Sequence, residues 1–507
     1  MAKLALDGSS LTLEQLVQAA RDPETEVSLS PEAIPGIQRA ADAVAKYIRE
    51  GRIAYGITTG FGAFKDRLIP PADVEKLQEN IILSHAVGTG PELPAEVVRA
   101  MMIIRANTLA KGHSGIRLTT LQLMLALLNR NILPIIPSKG SLGASGDLAP
   151  LAHMALPLIG QGLVRFHGEV QPSAEVLTEF GLKPVKLGAK EGLALTNGTT
   201  LMTAIGALQV FDAQIIVSSA NYAAALSLEA QNGTLRAYSP QIHASRPQAM
   251  QAETAACLRD MLSGSQLVRP DSSTNVQDAY TLRCVPQVHG AVHSAVNYAQ
   301  SVIETELNSV TDNPLLFFDE QNEVTILSGG NFHGEPLALA LDFLSIAMTD
   351  LGNMSERRIA KLIDNHPEHY PSFLAAHGGL NSGFMILQYT AAALCSENKT
   401  LAHPDSVDSI PSSGNVEDHV SMGANAALHC QQIVENVRKI IAIELMSAAQ
   451  AVDFRLQEKP DMRLGKGTSR VYRSIREAVP FFEKDAYFKP AMDALEEMVA
   501  KGGFCAS

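Results

Sequence analysis

Charge is scarce in this chain, and basic charge is scarcer than acidic. Only 18% of the 507 residues are charged, with 40 Lys and Arg against 53 Asp and Glu, for a formal net charge of −13. Binding nucleic acid takes a basic stripe that displaces counterions from phosphates, so no nucleic-acid partner is expected. Long hydrophobic runs are missing too. The longest, "LQLMLALL" at 121–128, is far short of a membrane span, and no membrane partner is expected. The start, "MAKLALDGSSLTLEQL", has neither the basic opening nor the apolar core of a secretory signal. Cysteine is rare and odd in number: Cys257, Cys284, Cys395, Cys430 and Cys505 are widely scattered and form no C-x-x-C. That pattern argues against a disulfide framework and a structural zinc, and it fits reduced thiols in a cytoplasmic protein.

What is plentiful is apolar surface, at 46% of residues. A chain of this length exceeds one compact core, so two or three packed regions are expected. Helical periodicity dominates. Leu337, Leu341, Leu344, Met348 and Leu351 recur at steps of three and four, as do Ile433, Val437, Ile440, Ile441 and Leu445. Pro336 sits where the first turn of its helix would begin. Stretches near 285–312, 336–363, 383–401 and 422–452 read as helices packed as antiparallel neighbours in a bundle. The part before about residue 200 is more broken, with Gly- and Pro-rich loops at 55–63, 88–95, 134–150 and 181–198. Short strands fit there, with no strand–helix alternation building a parallel sheet. The expected fold is mainly α, with a loop-rich N-terminal domain (1–200) ahead of a long-helix domain (201–507).

Several familiar sites are absent. "GKGTS" at 465–469 lacks the glycine spacing of a phosphate-binding loop, and "YGITTGFG" at 55–62 is not a dinucleotide fingerprint. His289 and His293 stand four apart on a predicted helix, but without a third ligand they read as satisfied histidines. No lysine stands in a motif that would support pyridoxal phosphate.

Ser145 lies in "KGSLGASGDLAPLAH" at 139–153, where the residue two after it is Asp147 rather than the glycine of a nucleophile elbow. One reading is a tight turn before a helix starting near Leu148. The other is chemical. Ala-Ser-Gly is as unhindered as a backbone can be, so the Gly146 nitrogen can reach the Ala144 carbonyl carbon. Loss of water and of the Ser145 hydroxyl would leave a conjugated five-membered ring, an electrophile made from the chain itself.

This segment resembles the cofactor-forming stretch of the aromatic amino acid ammonia-lyases, most closely their histidine-specific branch. The likeness continues, in order, through "YGITTGFG" (55–62), "SHAVGTG" (84–90), "KEGLALTNGT" (190–199), "VQDAYTLRCVPQVHG" (276–290), "TDNPL" (311–315), "SGGNFHGEP" (328–336), the run 381–413 and "EDHVSMG" (417–423). The resemblance implies an ammonia-lyase/fumarase-like fold in which Ala144-Ser145-Gly146 cyclises to 4-methylideneimidazole-5-one (MIO), with no metal or soluble cofactor. It also implies a homotetramer in which each active site draws residues from more than one subunit, and a lean charged fraction is compatible with buried subunit interfaces.

Carried over residue by residue, the resemblance implies Tyr55 as the base, which with an ordinary phenol pKa of about 10 must be shifted down to act near neutrality. Tyr280 matches a second tyrosine at the reacting centre. Arg283 matches the arginine that binds the substrate carboxylate through its planar fork. Asn197 and Gln277 match polar groups holding ring and substrate, and Phe332 matches a pocket wall. His85 and Glu417 match positions typical of histidine enzymes, and a carboxylate in a closed pocket needs a polar partner such as imidazole. The implied reaction is elimination of ammonia from L-histidine to give urocanate. Thr58, His113, Gly414 and Val416 depart from the histidine pattern, so phenylalanine or tyrosine as substrate remains an alternative. An aminomutase using the same ring remains another.

Overall fold

The computed structural model describes residues 2–270, 276–364 and 367–504, so Cys505 lies outside the described residues. Two compact units emerge. The first comprises 1–211, 300–342 and 404–428; the second comprises 212–299, 343–403 and 429–507. A single cut at residue 200 does not describe them, because the chain returns twice to the first unit with the loops around Phe332 and Glu417.

The first unit opens with a small strand–helix–strand arrangement, where none is expected from the sequence pattern. Strands Lys3–Leu6 and Glu26–Leu29 pair in parallel, joined by the helix Leu13–Arg21. Thr12 starts that helix with a capping box, accepting from the Gln15 amide while the Gln15 side chain accepts from its own. The strands are only four residues long, too short for alternation to register. Helix Ala95–Ala110 forms the centre of this unit, with every residue from Val97 to Ala110 buried. Strand Pro137–Lys139 pairs antiparallel with Thr89–Glu92 and leads into the Ser145 turn, and helix Leu148–Ala155 leaves it, starting where expected. Within the expected loop 181–198 a short helix, Glu191–Thr196, stands just before Asn197.

The four expected long helices are present as Val285–Leu307, Glu335–Leu362, Met385–Leu401 and Gly423–Glu458. Each leucine, isoleucine, valine and methionine of the two periodic stripes is fully buried. A fifth, Thr200–Ala230, gave no periodic signal. It is long and apolar enough to cross a membrane by length and composition, yet 83% of its most apolar window is buried inside the protein. A helix packed on all sides has no polar face, so its sequence carries no 3.6-residue alternation. In the second unit three of these helices, Thr200–Ala230, Glu335–Leu362 and Gly423–Glu458, meet at a polar centre. Arg358 makes a two-point ion pair with Glu444 at 2.6 and 2.8 Å, and Ser227 and Ser355 donate to the same carboxylate. His289 is satisfied, as expected: it is fully buried and bonded to Asn221 at 2.8 Å, and burial holds its imidazole well below the ordinary range. Among the described residues, Cys257, Cys284, Cys395 and Cys430 form no disulfide.

Candidate active site

The Ser145 turn is pinned by its neighbours in the first unit. Gly143 (φ 68°) and Gly146 (φ 74°) reverse the chain in a conformation that side chains disfavour. Gly146 forms a backbone bridge with Gly198, and a Cβ on Gly146 would lie 2.1 Å from the Gly198 oxygen. Only glycine fits, which suits a residue whose nitrogen must approach a carbonyl carbon two residues back. Asp147 anchors the far side. Its amide donates to the Gly198 oxygen at 2.7 Å. Its carboxylate accepts from the amides of Leu201 (2.8 Å) and Met202 (3.1 Å), at the positive end of helix Thr200–Ala230, and from the Ser141 hydroxyl (2.8 Å). Burial pushes the Asp147 carboxyl up to about 6, opposed by those three hydrogen bonds and reinforced by the charge of Glu306.

Over this turn opens a cavity of about 1400 Å³ whose lining residues all belong to the first unit. Tyr55, His85, Ala144, Ser145, Asn197, Phe332 and Glu417, drawn from six separate stretches of sequence, line it together. The Ser145 hydroxyl donates to Glu417 Oε1 at 2.7 Å, and the Asn197 side-chain amide donates to the Ser145 carbonyl oxygen at 2.7 Å. Glu417 Oε2 accepts from the Ser412 hydroxyl at 2.8 Å. Tyr55 Oη accepts from the Gly62 amide at 3.2 Å. His85 Nδ1 lies 2.9 Å from the Ser84 hydroxyl; burial holds its imidazole below the ordinary range, against the carbonyl of Ile81 and the charge of Glu417. The cavity therefore offers a carboxylate, a neutral imidazole, a phenol and an amide donor around one small-residue turn.

Four expected site residues stand elsewhere. Gly146 is behind the wall rather than in it. Gln277, Tyr280 and Arg283 belong to the second unit and are not among the residues lining the cavity. Gln277 is exposed, Tyr280 is 69% exposed, and the Arg283 guanidinium lies 4.6 Å over the Tyr280 ring. They sit at and before the short helix Tyr280–Arg283, and Arg283 is half-buried, its Nε shielded and without a hydrogen-bond partner.

Three of the four departures from the histidine pattern do not reach the cavity. The Thr58 hydroxyl is committed to its own turn, accepting from the Ala54 amide at 3.0 Å and donating to the Arg52 carbonyl at 3.1 Å. His113 bonds to the Leu316 carbonyl at 2.7 Å and packs against Phe317. Gly414 has φ 65°, a left-handed turn conformation, and does not line the cavity. Val416 alone of the four lines the cavity.

The cavity also holds polar residues that the sequence pattern does not single out, among them Ser412, His333 and His419. Ser412 supports Glu417 from five residues away. The His333 and His419 rings lie parallel, 5.7 Å apart, and with Glu335 they bring three metal-competent donor atoms within 4.8 Å of one another. All lie inside quoted motifs, beside Phe332 and Glu417, but adjacency in a loop does not reveal which side chains turn inward.

The sequence model of the family described as "Aromatic amino acid lyase" matches residues 11–477. Histidine ammonia-lyase of Chloroflexus aurantiacus is 55% identical over 510 residues, covering 100% of this chain and 98% of that protein. Among solved structures, histidine ammonia-lyase from Trypanosoma cruzi superposes with a TM-score of 0.91 at 41% identity, covering 99% of this chain and 94% of that one. Tyrosine aminomutase from Streptomyces globisporus does so with a TM-score of 0.92 at 37% identity, covering 99% and 98%.

Proposed function

This chain belongs to the aromatic amino acid lyase family, and we propose that it eliminates ammonia from L-histidine to give urocanate, using an MIO ring formed from Ala144, Ser145 and Gly146. The contact that carries the reading is Ser145 against Glu417 at 2.7 Å. It sets a carboxylate beside the small-residue turn, within reach of a substrate bound there. An anionic wall in a partly closed pocket favours an imidazole, which can donate to it, over a phenyl ring, which cannot. His85, held neutral, adds a second polar group suited to an imidazole. The full-length likeness to histidine ammonia-lyases supports the same substrate.

The conjugated ring supplies an electron sink that makes the substrate amine a better leaving group. The chain's own residues do the rest. Tyr55, oriented by the Gly62 amide, takes the β-proton as the Cα–N bond breaks and the Cα=Cβ bond forms. Asn197 holds the carbonyl of Ser145 in place. Phe332 forms an apolar wall. Gln277, Tyr280 and Arg283 serve the site of another subunit in a homotetramer, where Arg283 would bind the substrate carboxylate through its planar fork. The exposure of Gln277 and Tyr280 on a single chain supports that arrangement. The enzyme acts in the cytoplasm, in keeping with an acidic chain whose described cysteines form no disulfide.

The test is incubation of the purified protein with L-histidine, L-phenylalanine and L-tyrosine separately, following the conjugated acid by ultraviolet absorbance, with the intact mass measured alongside. Urocanate alone, with a mass short by two waters, is expected, and Ser145→Ala should abolish both. Cinnamate or coumarate instead would overturn the substrate, and a β-amino acid product would make the protein an aminomutase. Full activity in Ser145→Ala would remove the ring.

A further inference from the structure

Arg105 and Arg358 are the largest wholly buried side chains among the described residues. Arg358 has its carboxylate, Glu444. Arg105 has none. Its Nη2 donates to the carbonyl oxygens of Ala194 and Asn197, the latter at 2.7 Å, while Nε and Nη1 are buried with no hydrogen-bond partner. The acidic group that acts on it, Asp312, is already engaged, with Lys190 at 2.5 Å and the Ser114 hydroxyl at 2.7 Å. Lys190 and Asp312 are neutral as a pair, so Arg105 adds an uncompensated positive charge to the interior. Burial lowers its pKa to about 10, which leaves it charged at neutral pH. Burying a cation unpaired is costly, and packing alone does not require it.

The position of that charge is informative. Arg105 grips the Asn197–Gly198 segment from behind, so closely that a Cβ on Gly198 would lie 2.6 Å from Nη1. The other side of this segment meets the Ser145 turn: Asn197 donates to the Ser145 carbonyl oxygen at 2.7 Å, and the Gly198 oxygen accepts from Asp147. Two hydrogen bonds thus connect the buried guanidinium to the carbonyl oxygen of Ser145. In the ring proposed above, that oxygen is conjugated to the methylidene carbon.

We propose that Arg105 is a positioning residue for the electrophile: acting through Asn197, it stabilises the negative charge that reaches the Ser145 oxygen when a nucleophile adds. The inference rests on ring formation as proposed above. In the addition, the nucleophile bonds to the former Cβ of Ser145, and the π pair moves through the ring to the Ser145 oxygen. A proton from water completes the adduct, and nothing is oxidised or reduced. A fixed donor backed by a buried cation is already oriented for the charge before it develops.

The test uses full-length protein, cyanide as nucleophile, and intact mass as readout. Wild type, Arg105→Lys and Arg105→Gln are each expected to lack the mass of two waters. A unit charge acting across two hydrogen bonds at an effective dielectric of about 20 corresponds to at least a tenfold change in rate. Arg105→Gln should therefore gain the mass of hydrogen cyanide at least tenfold more slowly than wild type, and Arg105→Lys should restore most of the rate. Addition to mature Arg105→Gln at the wild-type rate would overturn the proposal. If Arg105→Gln fails to fold or mature, Arg105→Lys decides. It keeps the charge and loosens the grip on two carbonyls, so a near-wild-type rate supports the electrostatic role and a tenfold loss refutes it. A wild-type mass with no water deficit would remove the ring reading itself, and this inference with it.

Discussion

The hydroxyl of Ser145 donates to the carboxylate of Glu417 across 2.7 Å, although 272 positions separate them in the chain. The same carboxylate accepts from Ser412, so both of its oxygens are held in the cavity wall. Loss of the Ser145 hydroxyl on ring formation would leave Oε1 open to whatever occupies the cavity beside the turn, with Ser412 still holding Oε2.

Glu417→Gln keeps the shape and its polar contacts but removes the charge. A hydrogen bond to a charged group contributes roughly 1.5–3 kcal/mol, so histidine turnover should fall by about 10–100-fold in kcat/KM. Phenylalanine turnover, where detectable, should fall far less. Paired ultraviolet assays on both substrates check this, and equal losses would show that Glu417 serves the ring or the amine rather than the substrate's side chain.

Thr58→Asn restores the residue common in histidine enzymes at a position whose side chain serves the local turn. The ratio of histidine to phenylalanine turnover should change by less than about threefold, equivalent to roughly 0.5 kcal/mol, as for substitutions away from a site. A larger swing would mean that the turn transmits its conformation to Tyr55, three residues before it.

Asp147 gives a pH signature. Its folded carboxyl is raised to about 6 from an ordinary 3.8. Between these values the native state binds a proton that the unfolded chain has lost, so this group's contribution is full below the lower value and declines as pH rises through the higher one. The loss is on the order of 3 kcal/mol. Asp147→Asn can still accept from Leu201 and Met202 and can donate to Ser141. Chemical denaturation at intervals from pH 4 to 7 should show wild-type stability falling with pH relative to the variant; parallel curves would refute the shift.

In the second unit, Glu444→Ala leaves Arg358 buried without its carboxylate and should cost roughly 3–5 kcal/mol. Replacing both partners together, as Arg358→Met with Glu444→Leu, should cost less than Glu444→Ala alone, because no charge is stranded. Denaturation midpoints of the three proteins decide it. A double variant weaker than Glu444→Ala would show that the serines around Glu444 matter more than the pair.

Local features of this protein were legible in its sequence. The half-exposed long helices announced themselves through periodicity, because one polar face alternates with one buried one. The Ala-Ser-Gly chemistry was readable because its three residues are consecutive and reach one another without help from the rest of the fold. Proximity across the chain was legible only through the family resemblance, not in the residue pattern itself. Thr200–Ala230 hid because it is packed on every side, and the parallel pair at the N-terminus hid because four-residue strands carry too little pattern. Only the tertiary structure brought Glu417 to Ser145, turned Thr58 away from the cavity and set the lone charge of Arg105 behind Asn197. Periodicity and bond-forming reach are short-range properties written residue by residue; which distant side chains share a wall is decided by how whole helices pack.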